Sequence, residues 1–376
     1  MKCIALFVIL LCFLFFNLHS QIIHIPADYP TIQQGIDIAE EGDTVLVSPG
    51  IYLENLYFDT INLTLASHFL ITNDTSFISS TIIDGHDESS VFRIQLGQDT
   101  TTLICGFTVK NGHGILYKGG GFHISNSSVI LEHLHIINNQ SEEGGGIYLA
   151  WSSSVIRNCV IEQNQAVKGG GILASYYYPK MSNLTINQNF ASSEGGGIKI
   201  LSCEPVIENI LIENNTSGSA GGGVVIVYSN KKILFSGVNI LSNSAPDGAG
   251  IYNNAKVYLQ NCIISGNIAG DYGGGIYSRD SLWVQHSEVN NNVALSGGGF
   301  YINSSFLSTD SVNIEHNQAL YGGGGIYCRE NSVIRLNQTS INANSGGGGG
   351  GIYSYLKNDV TLSGTNIKYN QSSQGG

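Results

Sequence analysis

The chain has 376 residues, of which 42% are apolar and only 12% charged, about half the usual charged share. Its formal net charge of −12 is spread thinly, with no acidic or basic block, which argues against nucleic acid and anionic membrane surfaces as partners. Glycine is abundant (48 residues) and proline scarce (6 residues), so the chain is neither collagen-like nor a proline-rich stalk.

Residues 1–20, MKCIALFVILLCFLFFNLHS, read as a secretory signal peptide. Lys2 supplies the positive start, Ile4 to Phe16 an apolar run too short to span a bilayer comfortably, and Ser20 a small residue before a cut at Gln21. No later stretch of the sequence is apolar enough to cross a membrane. Cleavage leaves Cys105, Cys159, Cys203, Cys262 and Cys328, which are odd in number and far apart, unlike a disulfide scaffold.

Residues 21–43 are expected to form an N-terminal strand and a capping helix. Within DYPTIQQGIDIAEEGD, Asp28–Asp43, Pro30 suits a first turn, Gly42 suits the end, and Ile32, Ile36 and Ala39 share a face. Such a helix covers an open sheet end that would otherwise invite aggregation. TVLVSP, Thr44–Pro49, then reads as the first strand of a domain running over residues 44–376.

From about residue 119 the chain repeats. Glycine triplets, once Gly-Ala-Gly, end at Gly121, Gly146, Gly171, Gly197, Gly223, Gly250, Gly275, Gly299, Gly325 and Gly351, at intervals of 24 to 27 residues. An apolar residue always follows. Upstream of the triplets runs a phrase of Ile or Val, two residues, then Asn: Asn139, Asn164, Asn189, Asn215, Asn243, Asn267, Asn292, Asn317, Asn344 and Asn370. A mostly apolar residue two positions before that Ile or Val gives a period of two, which is the pattern of a strand.

A unit of about 25 residues with two or three short strands cannot bury its own apolar face, but stacked units can. Each unit therefore reads as one coil, its strands pairing in parallel with their equivalents ~4.8 Å above and below. The Ile columns form the core. The Asn column forms a ladder at a turn, where Asn tolerates left-handed backbone and its amide can bond the next copy. The glycines supply turn geometry that a β-carbon would forbid. Cys159 and Cys262 fall in the same inward column four coils apart, ~19 Å, and read as small buried hydrophobes. The last ten residues, IKYNQSSQGG, restart the phrase and stop inside a coil, so the sequence is expected to be a fragment lacking a C-terminal cap and a surface anchor.

IHIPADYPTIQQGIDIAEEGDTVLVSPGIYLEN (Ile23–Asn55), TIIDGHDESS (Thr81–Ser90), CGFTVKNG (Cys105–Gly112) and the recurring Asn-plus-GGGIY phrase resemble the secreted right-handed parallel β-helix repeat proteins of bacteria, with a pectin-lyase-like fold. The repeat is also similar to the polymorphic outer-membrane protein repeat, with Ile or Val where that family prefers Phe. The resemblance covers nearly all of Ile23 to Gly376 and implies an all-β, right-handed parallel β-helix (a β-solenoid) of about thirteen coils. It does not by itself imply a function, because the fold hosts enzymes and non-enzymes.

Enzymes of that fold that act on pectin place Asp, Arg or Lys on one outer sheet. PGIYLEN (Pro49–Asn55) looks like an early strand of the esterase branch, and GQDTTTL (Gly97–Leu103) superficially resembles its Gln-Asp-Thr motif. The branch's second Asp motif and its Leu-Gly-Arg-Pro-Trp string are absent, so Asp99 reads as a turn residue. Lys and Arg number only 16, and no cluster with carboxylates at equivalent positions is evident in the sequence. His133 and His135 are weak metal candidates on the outer face of one strand, with His123 in reach, against a plainer reading as surface imidazoles. No cofactor is called for.

The most regular outward feature is aromatic: Tyr148, then Tyr252, Tyr277, Tyr301, Tyr327 and Tyr353 in consecutive coils. These five read as a candidate ligand-contact stripe for a sugar or partner, or as a stabilising ladder. SYYYPK (Ser175–Lys180) reads as an aromatic bulge, either a contact loop or packing against its neighbours. Two function classes follow. One is a non-catalytic exported protein of the extracellular space or cell outer membrane surface, used for adhesion or for contact with polysaccharide or a host or neighbour cell surface. The other is a polysaccharide lyase or hydrolase. They are separated by whether three or more acidic and basic side chains gather on an outer groove across adjacent coils.

Overall fold

The structure, a computed structural model, describes residues 20–114 and 118–373. Residues 1–19, where a signal peptide is expected, and Gly375 and Gly376, expected to begin a further glycine triplet, lie outside the described residues. Period-two apolar patterning does what stacking requires: every strand pairs in parallel with its counterpart in the adjacent coil. A typical coil holds four short strands, more than the two or three expected. In one coil they are Ile147–Ala150, Val155–Arg157, Val160–Glu162 and Gln165–Lys168. Their equivalents build four parallel ladders, here sheets 1 to 4 in that order. The long strands Val224–Ser236 and Ile251–Gln260 run from sheet 1 into sheet 2 and fuse them. Sheet 3 has 13 strands, one per coil, so the solenoid has thirteen coils.

Inward side chains stack as like on like. Ile136, Ile161, Ile186, Ile212, Ile240 and Ile264 form one fully buried column. Each such residue contributes about 1.5–3 kcal/mol relative to exposure. Phe92 and Phe122 lie flat on one another, 4.5 Å between centroids. On sheet 4 the inward residues are small, with Ala245, Ala269 and Ala294 packed together beside Ala249 of the adjoining turn. The five described cysteines are buried free thiols; Cys159, Cys203, Cys262 and Cys328 face the core, whereas Cys105 is on the outer face of its strand, buried with Ala66 under Phe69.

The helix is shorter than its sequence suggests, Ile32–Ile38. Thr31, not Pro30, caps it: its hydroxyl accepts from the Gln34 amide at 3.2 Å. The Glu54 carboxylate accepts from the Ile32 and Gln33 amides at 2.8 and 2.9 Å, a favourable place for negative charge. Ile32 and Ile36 are buried in one cluster with Ile23, Ile25 and Val45 and so cover the first coil. Gly35 permits the close approach, since a β-carbon there would come within 2.9 Å of Ile25 Cδ1.

Two constraints hold the corners. The first glycine of each triplet from Gly119 to Gly297 is left-handed, for example Gly144 at φ +67° and Gly169 at φ +65°. The third has no room: a β-carbon on Gly171 would lie 2.7 Å from the Gly197 carbonyl oxygen of the next coil. The second constraint is the asparagine ladder from Asn139 to Asn370. Its backbone differs from expectation. The left-handed residue is the preceding one, for example Asn138, Gln163 and Gln188, while the ladder Asn points inward. Asn189 Oδ1 accepts from both the backbone N–H and the Nδ2 of Asn164, each at 3.0 Å. Asn189 Nδ2 donates in turn to the Ile161 carbonyl at 2.9 Å. The amide thus satisfies backbone groups that the sharp turn removes from the strand ladders.

Asn215 shows what one rung contributes. Truncation to Ala leaves the Asn189 N–H and the Ile186 carbonyl buried without these partners. At about 1–3 kcal/mol per stranded group, Asn215→Ala is expected to destabilise by roughly 2–6 kcal/mol. A lowered denaturation midpoint by circular dichroism, with faster amide exchange centred on residues 186–244, is the check.

Candidate functional site

The outward residues of sheet 1 divide into three zones along the solenoid. The first is polar and charged. In register, Tyr57 lies beside Arg93, Arg93 beside His123, and His123 beside Tyr148. The Arg93 guanidinium sits over the Tyr57 ring, 4.8 Å from its centroid. His123 is 7% exposed, with its Nε2 2.8 Å from Gln95 Nε2 and its ring 5.3 Å from that of Tyr148. Lys118, from the turn before Gly119, places its Nζ 2.5 Å from Glu143 Oε2 and 5.2 Å from the Tyr148 centroid. Arg93, Lys118, His123 and Glu143 therefore gather on one outer face across adjacent coils.

This corrects the reading that basic residues do not meet carboxylates at equivalent positions. Glu143, Lys168 and Glu194 are register partners in successive coils, with Lys118 paired to the first and Lys199 to the last. The signs alternate, as stacking like charges ~4.8 Å apart would be unfavourable.

The electrostatics follow from burial. Burial pushes the His123 imidazole below its usual range, and the charges of Arg93 and Lys118 push the same way, against a hydrogen bond to the Lys118 carbonyl. Burial is the largest influence on Lys118 and opposes its charge, but the hydrogen bond to Glu143 together with the charge of Glu143 and the neighbouring Tyr148 outweighs it, and the ammonium titrates above its usual range.

The second zone is closed by Leu173, Lys199 and Val225, all buried. The third is the tyrosine column. Tyr252, Tyr277, Tyr301, Tyr327 and Tyr353 stack with centroids 5.0, 5.0, 4.9 and 5.4 Å apart. Their faces are turned to one another, and Tyr272 adds a ring 4.7 Å from Tyr301. Tyr277 and Tyr301 are 7% and 3% exposed. Burial raises the Tyr301 hydroxyl to about 12, and Arg329 Nη1 donates to it at 3.3 Å. This geometry is that of a ladder. Beside it, Asp247 is held above the usual carboxyl range by burial and by the charge of Asp271.

A stacked and exposed aromatic surface lies at the corner between sheets 1 and 2, which the sequence did not single out apart from SYYYPK. Trp151 and Tyr176 occupy the same corner position in successive coils. Each amide donates to the coil beyond, Trp151 to the Ser175 carbonyl at 3.1 Å and Tyr176 to that of Leu201 at 3.3 Å. Both are left-handed, φ +53° and +59°, as are Tyr177 and Tyr228. Bulky residues in that conformation are strained by about 1–3 kcal/mol. The equivalent residue one coil earlier is Asn126, a residue type suited to it. Trp151 and Tyr176 lie flat on one another, 4.1 Å between centroids with planes 7° apart, yet stay 48% and 39% exposed. Tyr177 stands edge-on to Trp151 at 5.9 Å. Below them a cavity of about 300 Å³ is lined by Gln98, Asn126, Ser127, Ser128, Trp151, Ser153 and Tyr177.

His133 and His135 do not share a face. His133 is a left-handed corner residue against Phe69, ring centroids 4.5 Å apart. His135 is on sheet 3 and its Nε2 meets Glu162 Oε1 at 2.9 Å. The described residues include no group of three or more His, Cys, Asp or Glu placed to hold a metal ion. Asp99 is exposed in a turn, its carboxylate accepting from the Thr101 amide and hydroxyl at 2.8 and 2.6 Å. Among the described residues, no helix is long and apolar enough to cross a membrane.

Three overlapping segments, residues 58–237, 176–309 and 206–367, match the family described as right handed beta helix region. The chain belongs to that family, and its coils are right-handed parallel β-helix coils. Solved structures to which the chain is similar include the A-module of the Azotobacter vinelandii mannuronan C-5 epimerase AlgE4, at 16% identity and TM-score 0.49 over 92% of this chain and 94% of that one. Another is the catalytic domain of an α-1,3-glucanase in complex with nigerose, at 12% identity and TM-score 0.42 over 92% and 69%. A third is PfbA, a surface adhesin of Streptococcus pneumoniae, at 13% identity and TM-score 0.32 over 88% of each chain. No curated protein matches the chain.

The charge cluster generates a pH prediction. The folded pKa of His123 lies below the unfolded value of about 6.5, so neutral His123 supports the fold fully above that pH. The contribution declines as pH falls from there toward the folded value. Between about pH 7.5 and about pH 5, His123→Gln is expected to lose less unfolding free energy than the parent in paired urea titrations.

Proposed function

We propose that this chain is an exported β-helix protein that contacts glycans through the flank formed by sheet 1 and its corner with sheet 2. The observation that carries the reading is the exposed Trp151–Tyr176 stack. Two aromatic rings held in strained backbone, open to solvent, beside a cavity lined by amides and hydroxyls, match what a sugar ring needs: an apolar face to lie on and polar groups to orient its hydroxyls. Tyr177 adds an edge to the platform. The tyrosine ladder from Tyr252 to Tyr353 is assigned to stability, because its central rings Tyr277 and Tyr301 are buried, whereas Trp151 and Tyr176, although stacked on one another, stay open to solvent. The leader sequence supports export, with the extracellular space or cell outer membrane surface as the place of action.

Replacing Trp151 and Tyr176 by Ala is expected to weaken binding to whichever polysaccharides retard the parent in affinity electrophoresis by about tenfold or more. The far-ultraviolet circular dichroism should stay unchanged. Retardation equal to the parent's would reject the platform.

A second reading is favoured by a specific observation, the gathering of Arg93, Lys118, His123, Glu143 and Tyr148 on one face: that the chain cleaves polysaccharide as a lyase or hydrolase. Such a set offers proton donors and acceptors beside fixed positive charge. On this reading, incubation with a panel of polysaccharides releases reducing ends or unsaturated products, and Tyr148→Phe or His123→Gln lowers the rate by about a hundredfold or more. Intact polymers after prolonged incubation with the parent would leave the binding reading alone.

A further inference from the structure

We propose that the cavity beside the Trp151–Tyr176 stack holds a quaternary ammonium group, the trimethylammonium of a choline-like solute or of a lipid headgroup. The proposal goes beyond the glycan reading and does not rest on it. It concerns the corner between Trp151 and Tyr177 and a ligand that contains no sugar.

Shape is the first argument. Trp151 and Tyr177 both line the cavity, and their rings stand 76° apart with centroids 5.9 Å from one another. Two rings in that relation enclose a right-angled corner with an aromatic face on each side. A sugar ring lies on one plane, which the Trp151–Tyr176 stack offers. A corner suits a compact, nearly spherical group that presents methyl hydrogens in every direction. Tyr176 covers one face of Trp151 from the coil beyond, 4.1 Å between centroids, so the other face looks back along the solenoid. The corner residue there is Asn126, which lines the same cavity. The cavity, of about 300 Å³, is at the small end of ligand pockets. Both rings are about half exposed, so a solute can reach the corner.

Charge is the second. An aromatic face attracts a cation through its quadrupole, and indole does so best. This part of the chain does it with its own ammonium groups: Lys231 Nζ lies over the Tyr178 ring, 5.6 Å from its centroid, and Lys232 Nζ over the Tyr258 ring, at 3.5 Å. Besides the two rings, the described lining residues are Gln, Asn and Ser, with no Lys, Arg or His to repel a cation. The formal charge of −12 favours cations around the molecule as a whole.

Hydrogen bonding is the third, and it selects the class of cation. A primary ammonium carries three donors and needs a carboxylate or several free acceptors. No carboxylate is among the described lining residues. Several acceptors there are already engaged: Gln98 Oε1 accepts from the Leu96 amide at 3.2 Å and from Ser127 Oγ at 3.0 Å, and Ser128 Oγ accepts from the Ser153 amide at 2.9 Å. A quaternary ammonium has no N–H to satisfy and loses nothing by entering.

The test titrates the full chain with tetramethylammonium, choline, the neutral isostere of choline in which carbon replaces nitrogen, and ethanolamine, its primary-amine counterpart. Calorimetry reads binding. Indole emission reads it at Trp151 once Trp283, the second of the chain's two tryptophans, is replaced (Trp283→Phe). Choline and tetramethylammonium are expected to bind about tenfold more tightly than the isostere and ethanolamine, with a change in Trp151 emission. Trp151→Leu and Tyr177→Leu should each remove the preference, while Trp151→Phe keeps part of it. Vesicles distinguish the sources: co-sedimentation with phosphatidylcholine and not with phosphatidylglycerol identifies a lipid headgroup, and binding of free choline without vesicle binding identifies a solute. Equal affinity for choline and its neutral isostere would reduce the cavity to an apolar pocket and overturn the inference. A preference that survives both Trp151→Leu and Tyr177→Leu would overturn it too, as would failure of every probe to bind. In each of those cases retardation by polysaccharides, measured separately, still decides glycan contact. If Trp283→Phe does not fold, calorimetry on the parent and on Tyr177→Leu decides, because Tyr177 is 51% exposed and its truncation leaves the core intact.

Discussion

In this solenoid each residue sits directly on its counterpart in the next coil, and that registry governs everything else. A side chain is tolerated if it is compatible with a copy of itself, or of a near relative, a strand spacing away. Ile does this by dispersion, Asn by an amide that both donates and accepts, and Tyr by its ring face. Charges do not, and the chain is accordingly poor in them. In the longest charged column they alternate in sign, as Glu143, Lys168 and Glu194 do, with Lys118 paired to the first. The low charge content is thus a consequence of geometry.

The corners meet a different requirement. Four turns per coil need left-handed backbone, which the chain meets with Gly, Asn, Ser, Gln and His at most positions. Trp151, Tyr176, Tyr177, Tyr228 and Tyr369 are the aromatic exceptions among the described residues. A corner side chain points away from the core, so these rings gain no core burial to offset their strain. A feature costly to the fold and useless to the core is where a contact function is best sought. The same registry serves the site: successive corner residues stack into a platform, and successive outward residues of sheet 1 bring Arg93, His123 and Tyr148 together.

Much of this was legible from the residues. The period of about 25 located the coils, the inward Ile and Cys columns and the Asn ladder, because stacking repeats each constraint and makes it visible ten times. The tyrosine column was legible as a column, but not its burial, which depends on Tyr272 and the sheet 4 turns folding against it. The left-handed residue was misplaced by one position, because a repeated Asn can serve equally as a strained turn residue or as an amide bridge. Trp151 and Arg93 escaped notice because each occurs once in its column, and periodicity detects only what recurs. Counting four residues on from each post-glycine Ile or Phe would have aligned Asn126, Trp151, Tyr176 and Ser202 and shown the aromatic pair.

By itself, then, the sequence determined the coil, its length and its repeated rungs, since those follow from local spacing and from like pairing with like. Only the tertiary structure decided which outward residues meet solvent and which charges face one another. Lys118 reaches Glu143 and Tyr148, and His123 is buried beside Arg93, through the way one turn folds over the next sheet. Such contacts join different columns of the repeat, and no period in the sequence encodes them.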